Sequence, residues 1–226
     1  MIEHTHQQGS PEWLQARRGV VTGSRFKDCR DRKALTAAQK KEGLTKGEPS
    51  AKFMAYAYDV ARERCGGQAP SKFVNAAMRT GTDQESPARR LYERLTRNLV
   101  DEVGFFTDDD GLFGLSPDGL IDDDGVLEIK TMVSSDTLFT AVADGDLSAY
   151  TDQCLGYLWL LGRQWVDLVL WVPDLEFMKV HRITRDDDAI EALEADLLAF
   201  AKVVQQNEDR LLAALSTNID LLKKAA

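Results

Sequence analysis

Two identical tetrads, Asp-Asp-Asp-Gly at positions 108–111 and 122–125, constrain the middle of this 226-residue chain more than any other feature. Three consecutive carboxylates followed by glycine are poor strand formers and suit a tight turn. Aspartate side chains bond their own backbone there, and glycine takes left-handed angles. The tetrads cut the neighbouring apolar residues into segments too short for helices, at 99–106, 112–116 and 126–130. The expectation is a β-meander through the centre of the chain. Residues 122–124 read as a hairpin turn and not as a calcium loop, because the spaced glutamate that closes such a loop is absent.

The flanks read as helical. Ser10 can cap a helix, Pro11 suits its first turn and Gly19 its exit. Thr22-Gly23-Ser24 offers a second cap before Arg25 and Phe26. Residues 30–49 are polar and lysine-bearing, and read as a loop or broken helix. Ser50 caps a helix to about Arg64, closed by Cys65-Gly66-Gly67, with Phe53, Tyr56 and Val60 at helical spacing. Another helix is expected over about 71–97, interrupted near Gly81. After the meander, 137–162 reads as helix with a break at Gly145. Residues 165–172 and 178–183 read as strands around Pro173-Asp174, and 186–215 as an amphipathic helix or helix pair. This order specifies an α/β fold, a mixed central β-sheet flanked by helices. One domain is expected over 1–226: a mainly helical part (1–98), the sheet with its helix (99–185) and C-terminal helices (186–226). A chain of this length buries about 70% of its unfolded surface and needs no disulfide or metal to hold a core.

Composition removes several classes of function. With 43% hydrophobic and 29% charged residues the chain is not disordered. No apolar run reaches the roughly 18 residues of a membrane span. The opening Met-Ile-Glu-His-Thr-His lacks the charged-then-apolar order of a signal peptide. Cys29, Cys65 and Cys154 are scattered and suit a reducing cytoplasm, the expected location. His4, His6 and His181 are too few for a multi-histidine zinc site, so any metal chemistry must use carboxylates. The net charge of −9 argues against coating nucleic acid by bulk attraction. It is unevenly spread. Residues 1–66 carry 13 Lys and Arg against 8 Asp and Glu, and residues 67–226 carry 15 against 29. Either the charges decorate solvated faces, or a basic approach surface stands beside an acidic, metal-binding centre.

The informative stretch is Ser116-Pro117-Asp118-Gly119, followed by Glu128-Ile129-Lys130. Side chains two apart on a strand share a face, so Glu128 and Lys130 point the same way while Ile129 faces the core. Two acids and a lysine at one sheet edge suit a hard cation such as Mg²⁺, with the lysine orienting a metal-bound water or neutralising phosphate charge. The alternative is a hairpin with solvated turn acids and a surface ion pair. Val126 and Leu127 speak against it, since they mark a buried strand where a charged pair is costly unless it is used or paired.

Around this motif the sequence resembles the PD-(D/E)xK nucleases, and among them the lambda-type phage recombination (alkaline) exonucleases. Trp13, Arg17, Gly19 and Thr22-Gly23-Ser24 resemble that family's W…R-x-G-x-x-T-x-S segment. Gly81 and Glu85 match its G-x-x-x-E, and Asp108, ten residues before Asp118, matches an upstream aspartate. Ser116-Pro117-Asp118-Gly119 stands as the family has it, and Gln153-x-x-x-Tyr157 matches its Q-x-x-x-Y helix. The likeness spans most of residues 10–185.

The resemblance implies a restriction-endonuclease-like core and a Mg²⁺-dependent 5′→3′ exonuclease. Such an enzyme degrades one strand of linear double-stranded DNA to mononucleotides and leaves 3′ overhangs for single-strand annealing. Asp118 and Glu128 then ligate metal with the Ile129 carbonyl, and Asp108 completes a second Mg²⁺ site, with Mn²⁺ as a substitute. Two ions roughly 4 Å apart clamp the attacking and leaving oxygens. Glu85 closes the second site or binds through water, and Lys130 positions the nucleophilic water. Arg17, Ser24 and Ser116, with Thr22 beside them, form a pocket for the terminal 5′-phosphate. Gln153 bonds near a phosphate, with Tyr157 one turn on. Met78 takes the place of a wedge that parts the terminal base pair. The implied partners are 5′-phosphorylated linear duplex DNA, two further copies in a trimeric ring, and a phage single-strand annealing protein in a bacterial cytoplasm. No membrane is involved.

Each assignment has a plainer alternative. Asp108 serves as a turn residue equally well, Glu85 as an exposed helix residue, Thr22 and Ser24 as caps, and Tyr157 and Met78 as core. Arg18 competes with Arg17 as the phosphate ligand. Two other functions fit the same fold: a structure-specific or restriction-type endonuclease, and an inactive DNA-end-binding module. Three cysteines exclude the variant with a four-cysteine iron–sulfur cluster.

Overall fold

The computed structural model describes residues 1–68 and 76–225, and the side chains of all of these except 76–80, 82 and 217–225. In chain order the elements are β1 (Ile2–His4), α1 (Pro11–Ala16), β2 (Val21–Thr22), a 3-10 turn (Gly23–Arg25), α2 (Phe26–Cys29), α3 (Ala37–Lys41), α4 (Ala51–Arg64) and α5 (Ala76–Thr96). There follow β3 (Phe105–Thr107), β4 (Phe113–Leu115), β5 (Gly119–Ile121), β6 (Gly125–Thr131), α6 (Ser135–Leu138) and a π turn (Phe139–Ala143). The chain continues through α7 (Thr151–Leu160), β7 (Trp165–Val172), a 3-10 turn (Pro173–Leu175), β8 (Phe177–Thr184) and α8 (Asp187–Ala225).

The local signals act where the sequence places them. The Ser10 side chain accepts from the Trp13 amide with Pro11 in the first turn, and Ser50 accepts from the Phe53 amide. Within the stretch expected as a loop, a reciprocal capping box between Thr36 and Gln39 builds α3. α5 runs unbroken through Gly81 and Pro87, contrary to the expected interruption. Its expected start near residue 71 lies outside the described residues. α8 is one helix, not a pair, and continues past 215.

The mixed α/β architecture is as expected, but its strands form two sheets, ordered β1-β3-β4-β2 and β5-β6-β7-β8. β3 and β4 pair antiparallel across the first Asp tetrad, and β5 and β6 across the second. The meander passes from one sheet to the other between Leu115 and Gly119. Pro117 stands at that crossing, where it has no ladder amide to give. β1, β2 and β5 are too short to show a period in the sequence.

β6 and β7 are parallel, in register from Gly125↔Trp165 to Thr131↔Trp171, and α6 and α7 form the crossover between them. One face of this sheet packs Val126, Val166, Leu168 and Leu170 against α4, α7 and α8. The other packs Leu127, Ile129, Val169 and Trp171 under Ala88 and Tyr92 of α5. Burying such side chains stabilises by about 1.5–3 kcal/mol each. α8 buries Ile190, Leu193, Leu197, Phe200 and Val204 at helical spacing, with Phe200 edge-on to Phe53 at 4.9 Å and stacked on Tyr56 at 5.3 Å. The buried Asp167 of β7 is fully paired. Tyr92 donates to it at 2.5 Å, and the Arg182 guanidinium grips it in a fork at 2.8 Å while lying over the Trp165 ring.

Candidate active site

β6 carries Glu128 and Lys130 on the face that meets α7, as their spacing predicts. Glu128 is 3% exposed, and each of its oxygens has partners. Oε1 receives the Lys130 ammonium at 2.5 Å and the Gln153 amide at 2.8 Å; Oε2 accepts the Tyr157 hydroxyl. Gln153 closes the ring by accepting from Lys130 at 3.1 Å through its own oxygen. Tyr157 lies one turn beyond Gln153, so one face of α7 presents both groups to β6. The Tyr157 hydroxyl also lies 3.2 Å from the Ser116 carbonyl, which ties the inter-sheet crossing to the same cluster. Tyr150 adds its ring 5.7 Å from the Lys130 ammonium. Its i, i+3 relation to Gln153 is the signal that marks it in the sequence.

Asp118 enters from the crossing. Its Oδ2 accepts the Ile129 amide at 2.6 Å, beyond the end of the β5–β6 ladder. A strand residue turns its N–H and C=O to the same side, so the Ile129 carbonyl also faces Asp118. Burial holds the Asp118 carboxyl well above the usual carboxylate range, and the nearby charges of Glu128 and Glu85 push it further the same way. Glu85, on α5, is raised by its own burial and by Glu128, against the pull of Arg89. Burial pulls the Lys130 ammonium down, but Glu128 and Asp118 outweigh it and leave it above its ordinary value. Burial and the same two carboxylates raise Tyr157, so it stays a hydroxyl.

Three desolvated carboxylates that repel one another, with a main-chain carbonyl beside them, are a hard-oxygen donor set that a divalent cation would relieve. The residues therefore fit a Mg²⁺ ion. They are not drawn together as a ready cage: among the described residues no three His, Cys, Asp or Glu side chains are grouped to hold a metal. The reason is visible in the bonds, since Glu128 is spent on Lys130, Gln153 and Tyr157. Asp108 stands apart. Its Oδ1 accepts the Leu112 and Phe113 amides at 2.7 and 2.9 Å and shapes the first Asp turn, the plainer of its two readings.

The residues expected to hold a terminal phosphate are divided. Arg18 is committed to the Gly66 and Gly67 carbonyls beyond α4. Arg17 makes no ion pair among the described residues and lies over the Trp13 and Phe105 rings at 4.3 and 5.1 Å. Burial lowers its guanidinium below the ordinary value, with Tyr56, Tyr157 and Glu63 acting against that. Of the two arginines, only Arg17 keeps its guanidinium clear of backbone carbonyls among the described residues. Ser24 is exposed in the 3-10 turn. That turn lies against α7: a Cβ on Gly23 would stand 2.8 Å from Leu115 Cδ2 and 3.9 Å from Gln153 Cγ. Thr22 is buried and gives its amide to Tyr56 at 2.9 Å, so it places the turn and is not open to a ligand. It makes no side-chain cap. The Met78 side chain lies outside the described residues.

Five of the thirteen cations over residues 1–66 are paired, three with acids of the same segment and two, Arg30 and Lys46, with acids far along the chain. Arg25 and Lys52 pair with Asp28, Arg30 with Asp152 and Asp196, Lys46 with Asp196, and Lys33 with Glu48. Pairing across long sequence separations is what the composition could not show.

Residues 12–164 match the model of the YqaJ-like viral recombinase domain family. Among solved structures, an alkaline exonuclease from Laribacter hongkongensis, LHK-Exo, is 30% identical with a TM-score of 0.74, and the match covers 92% of this chain and 99% of that one. LHK-Exo in complex with dAMP matches at the same identity and coverage with a TM-score of 0.76. A phage-related exonuclease from Haemophilus somnus shares the fold, with 14% identity, a TM-score of 0.64 and coverage of 89% and 99%. No curated protein matches the chain by sequence. No helix among the described residues is long and apolar enough to cross a membrane.

Proposed function

This chain belongs to the YqaJ-like viral recombinase family and, with LHK-Exo, to the alkaline exonucleases of lambda type, and from that membership we propose the particular activity of this DNA exonuclease. It is a deoxyribonuclease of the PD-(D/E)xK fold. We read it as a Mg²⁺-dependent 5′→3′ enzyme that removes mononucleotides from one strand of linear duplex DNA and leaves a 3′ overhang. The observation that carries this is the closed cluster of Glu128, Lys130, Gln153 and Tyr157 with Asp118 beside it. The dAMP held by LHK-Exo, a mononucleotide, supports release of single nucleotides.

In this reading Asp118, Glu128 and the Ile129 carbonyl would hold the ion, and Glu85 would reach it through water. Bound there, Mg²⁺ would polarise the phosphoryl oxygens and lower the pKa of a bound water. A second ion would draw on Asp108, whose Oδ2 takes no part in the turn. The chain's own groups do the rest. Lys130, held by Glu128 and Gln153, places a positive charge where the phosphate gathers negative charge and orients the attacking water. Tyr157 stays protonated and donates to Glu128, fixing its rotamer. Gln153 carries both a donor and an acceptor, and so keeps Lys130 and Glu128 in one arrangement. Arg17, stacked and without a carboxylate, offers its fork to a 5′-phosphate, with Ser24 and Ser116 as hydroxyl donors. A homotrimeric ring and a phage single-strand annealing partner belong to the same proposal, in a cytoplasmic setting.

The test compares linear duplex DNA bearing 5′-phosphate or 5′-hydroxyl with closed circular DNA, in Mg²⁺ and in EDTA, for the wild type and Lys130→Ala. Expected is Mg²⁺-dependent loss of the 5′-phosphorylated linear form alone, with the variant slowed at least ~100-fold. Cutting of the closed circle would replace the reading with an endonuclease. Bound but uncut ends would replace it with an end-binding module.

A further inference from the structure

The C-terminal half of α5 carries positive charge that the site described above does not use. Arg90, Arg94 and Arg97 stand at i, i+4 and i+7 and are all exposed. With Pro87, Glu93 and Leu99 they line an open groove of about 610 Å³. None of the three makes an ion pair among the described residues. Arg90 bonds only the Ser86 hydroxyl, at 2.8 Å. The one acid in the groove, Glu93, is occupied by the Val100 amide at 3.1 Å. The arginines are not spent on the end of the helix either: the Tyr92 carbonyl is taken by the Thr96 hydroxyl and the Glu93 carbonyl by the Arg97 amide. Like charges four apart on one helix face, as Arg90 and Arg94 are, repel each other. This cluster stands in a chain of net charge −9, in which five of the thirteen cations over residues 1–66 are paired within the fold.

We propose that this groove holds the phosphate backbone of the duplex that flanks the active site. The proposal rests on the DNA exonuclease reading and extends it to the path of the substrate. Arg90 and Arg94 stand about 6 Å apart along α5, the axial rise of about two phosphate steps on one strand, and Arg97 follows just past the helix end, where the backbone turns left-handed. The same helix supplies Glu85, and Arg90 and Arg94 follow it by about 8–14 Å along the axis, less than one turn of B-DNA. Their helical angles set them away from Glu85 on the solvent side. The groove therefore holds the flank of the duplex and takes no part at the scissile bond. A guanidinium fork meets phosphate oxygens in pairs, and the exposed Leu99 gives the apolar floor that sugar edges can cover.

The experiment is a salt series from 50 to 200 mM NaCl with 5′-phosphorylated linear duplex DNA and Mg²⁺, comparing the wild type, the triple variant R90Q/R94Q/R97Q and its lysine counterpart. Three lost phosphate contacts should flatten the plot of log(kcat/KM) against log[salt] by about 2–3, at ~0.9 for each contact. Across that range the wild type then loses about 40-fold more efficiency than the glutamine variant. KM should carry the change, kcat at saturating DNA should stay within about twofold, and the lysine variant should keep most of the slope. Equal slopes and equal KM would overturn the proposal and leave the groove to an acidic protein surface or to no ligand. A wild type that cuts no DNA would instead fail the exonuclease reading. R94E, singly, separates a folding defect from a binding defect: it should raise KM with the unfolding midpoint unchanged.

Discussion

Gly156 sits on α7 between Gln153 and Tyr157, at the point where the helix leans on Phe26. A Cβ there would stand 2.5 and 2.7 Å from two carbons of the Phe26 ring and 3.5 Å from Leu115 Cδ2. Carbon atoms prefer about 3.5–4.0 Å, so the overlap is about 1 Å. Phe26 is fully buried and hemmed by Phe113 at 6.3 Å and Trp159 at 6.5 Å, so the ring has nowhere to turn. Alanine gains about 1 kcal/mol over glycine in a helix interior. Overpacking of a well-filled core costs typically 1–3 kcal/mol, and an overlap of this size against an immobile ring belongs at the upper end. Gly156→Ala should therefore destabilise by about 2 kcal/mol. For a domain of this size that lowers Tm by about 4–8 °C. Gly81→Ala is the matched control. It lies in a helix with nothing within 4 Å of its Cβ, so the propensity gain acts alone and Tm should rise by about 2–4 °C. Thermal and urea unfolding followed by far-UV circular dichroism reads both. The displaced α7 should also carry Gln153 away from Lys130, so cleavage by Gly156→Ala should fall further than the folded fraction accounts for. A Gly156→Ala variant as stable as the wild type, with Gly81→Ala behaving as stated, refutes the packing account of how α7 is seated.

Arg17→Ala should cost about 10- to 100-fold in the preference for 5′-phosphoryl over 5′-hydroxyl ends, the worth of a charge-assisted contact, while Arg18→Ala should keep the preference; paired kcat/KM measurements on the two ends decide it. Burial, and then Glu128 and Glu85, raise Asp118 in the metal-free chain, so a Mg²⁺ ion must displace a proton held above the usual carboxylate range, and Mg²⁺ affinity read by titration calorimetry should weaken as pH falls through that raised range. Removing one of the repelling charges with Glu85→Gln should move that loss of Mg²⁺ binding to lower pH; a loss that stays put or moves up contradicts the shared-carboxylate electrostatics. Asp167→Ala leaves the buried Tyr92 hydroxyl without its acceptor, the Asn98 amide still donating to it, and frees a half-exposed Arg182, and should cost about 2 kcal/mol in urea unfolding, with turnover per folded molecule unaltered.

What was legible in the sequence follows from the range of each signal. Caps and turns are local, so Ser10, Ser50 and both Asp tetrads act where they were read. The i, i+2 relation of Glu128 and Lys130 survives because β6 is long and buried, and its register leaves no other choice. The division of the strands into two sheets was not legible, since it depends on a crossing at Pro117 and on pairs such as β1 with β3, about a hundred residues apart. Nor was the fate of the N-terminal cations, because Arg30 finds Asp152 and Asp196 only in the folded chain. Arg17 and Arg18 have identical side chains and adjacent numbers. What separates them is the helix end at Gly66 and Gly67 that claims one of them.

The proposed catalytic cluster is drawn mostly from a short stretch of chain, with Glu85 joining it from α5. Asp118, Glu128, Lys130, Gln153 and Tyr157 lie within residues 116–157: Glu128, Lys130, Gln153 and Tyr157 bond to one another from β6 and its crossover helix, and Asp118 reaches the β6 backbone from the crossing before β5. The turn proposed to select DNA ends comes from residues 17–24 and reaches the cluster by resting on α7, Gly23 against the stem of Gln153. On these proposed roles the power to cut and most of the choice of where to cut have separate addresses in the gene, Ser116 being the one pocket residue that lies in the cutting stretch. Mutations confined to the first twenty-odd codons can retune the preferred DNA end while the cutting apparatus is inherited intact. One sheet can in this way pass between end-dependent and internal cleavage by small steps, each leaving a working nuclease behind it.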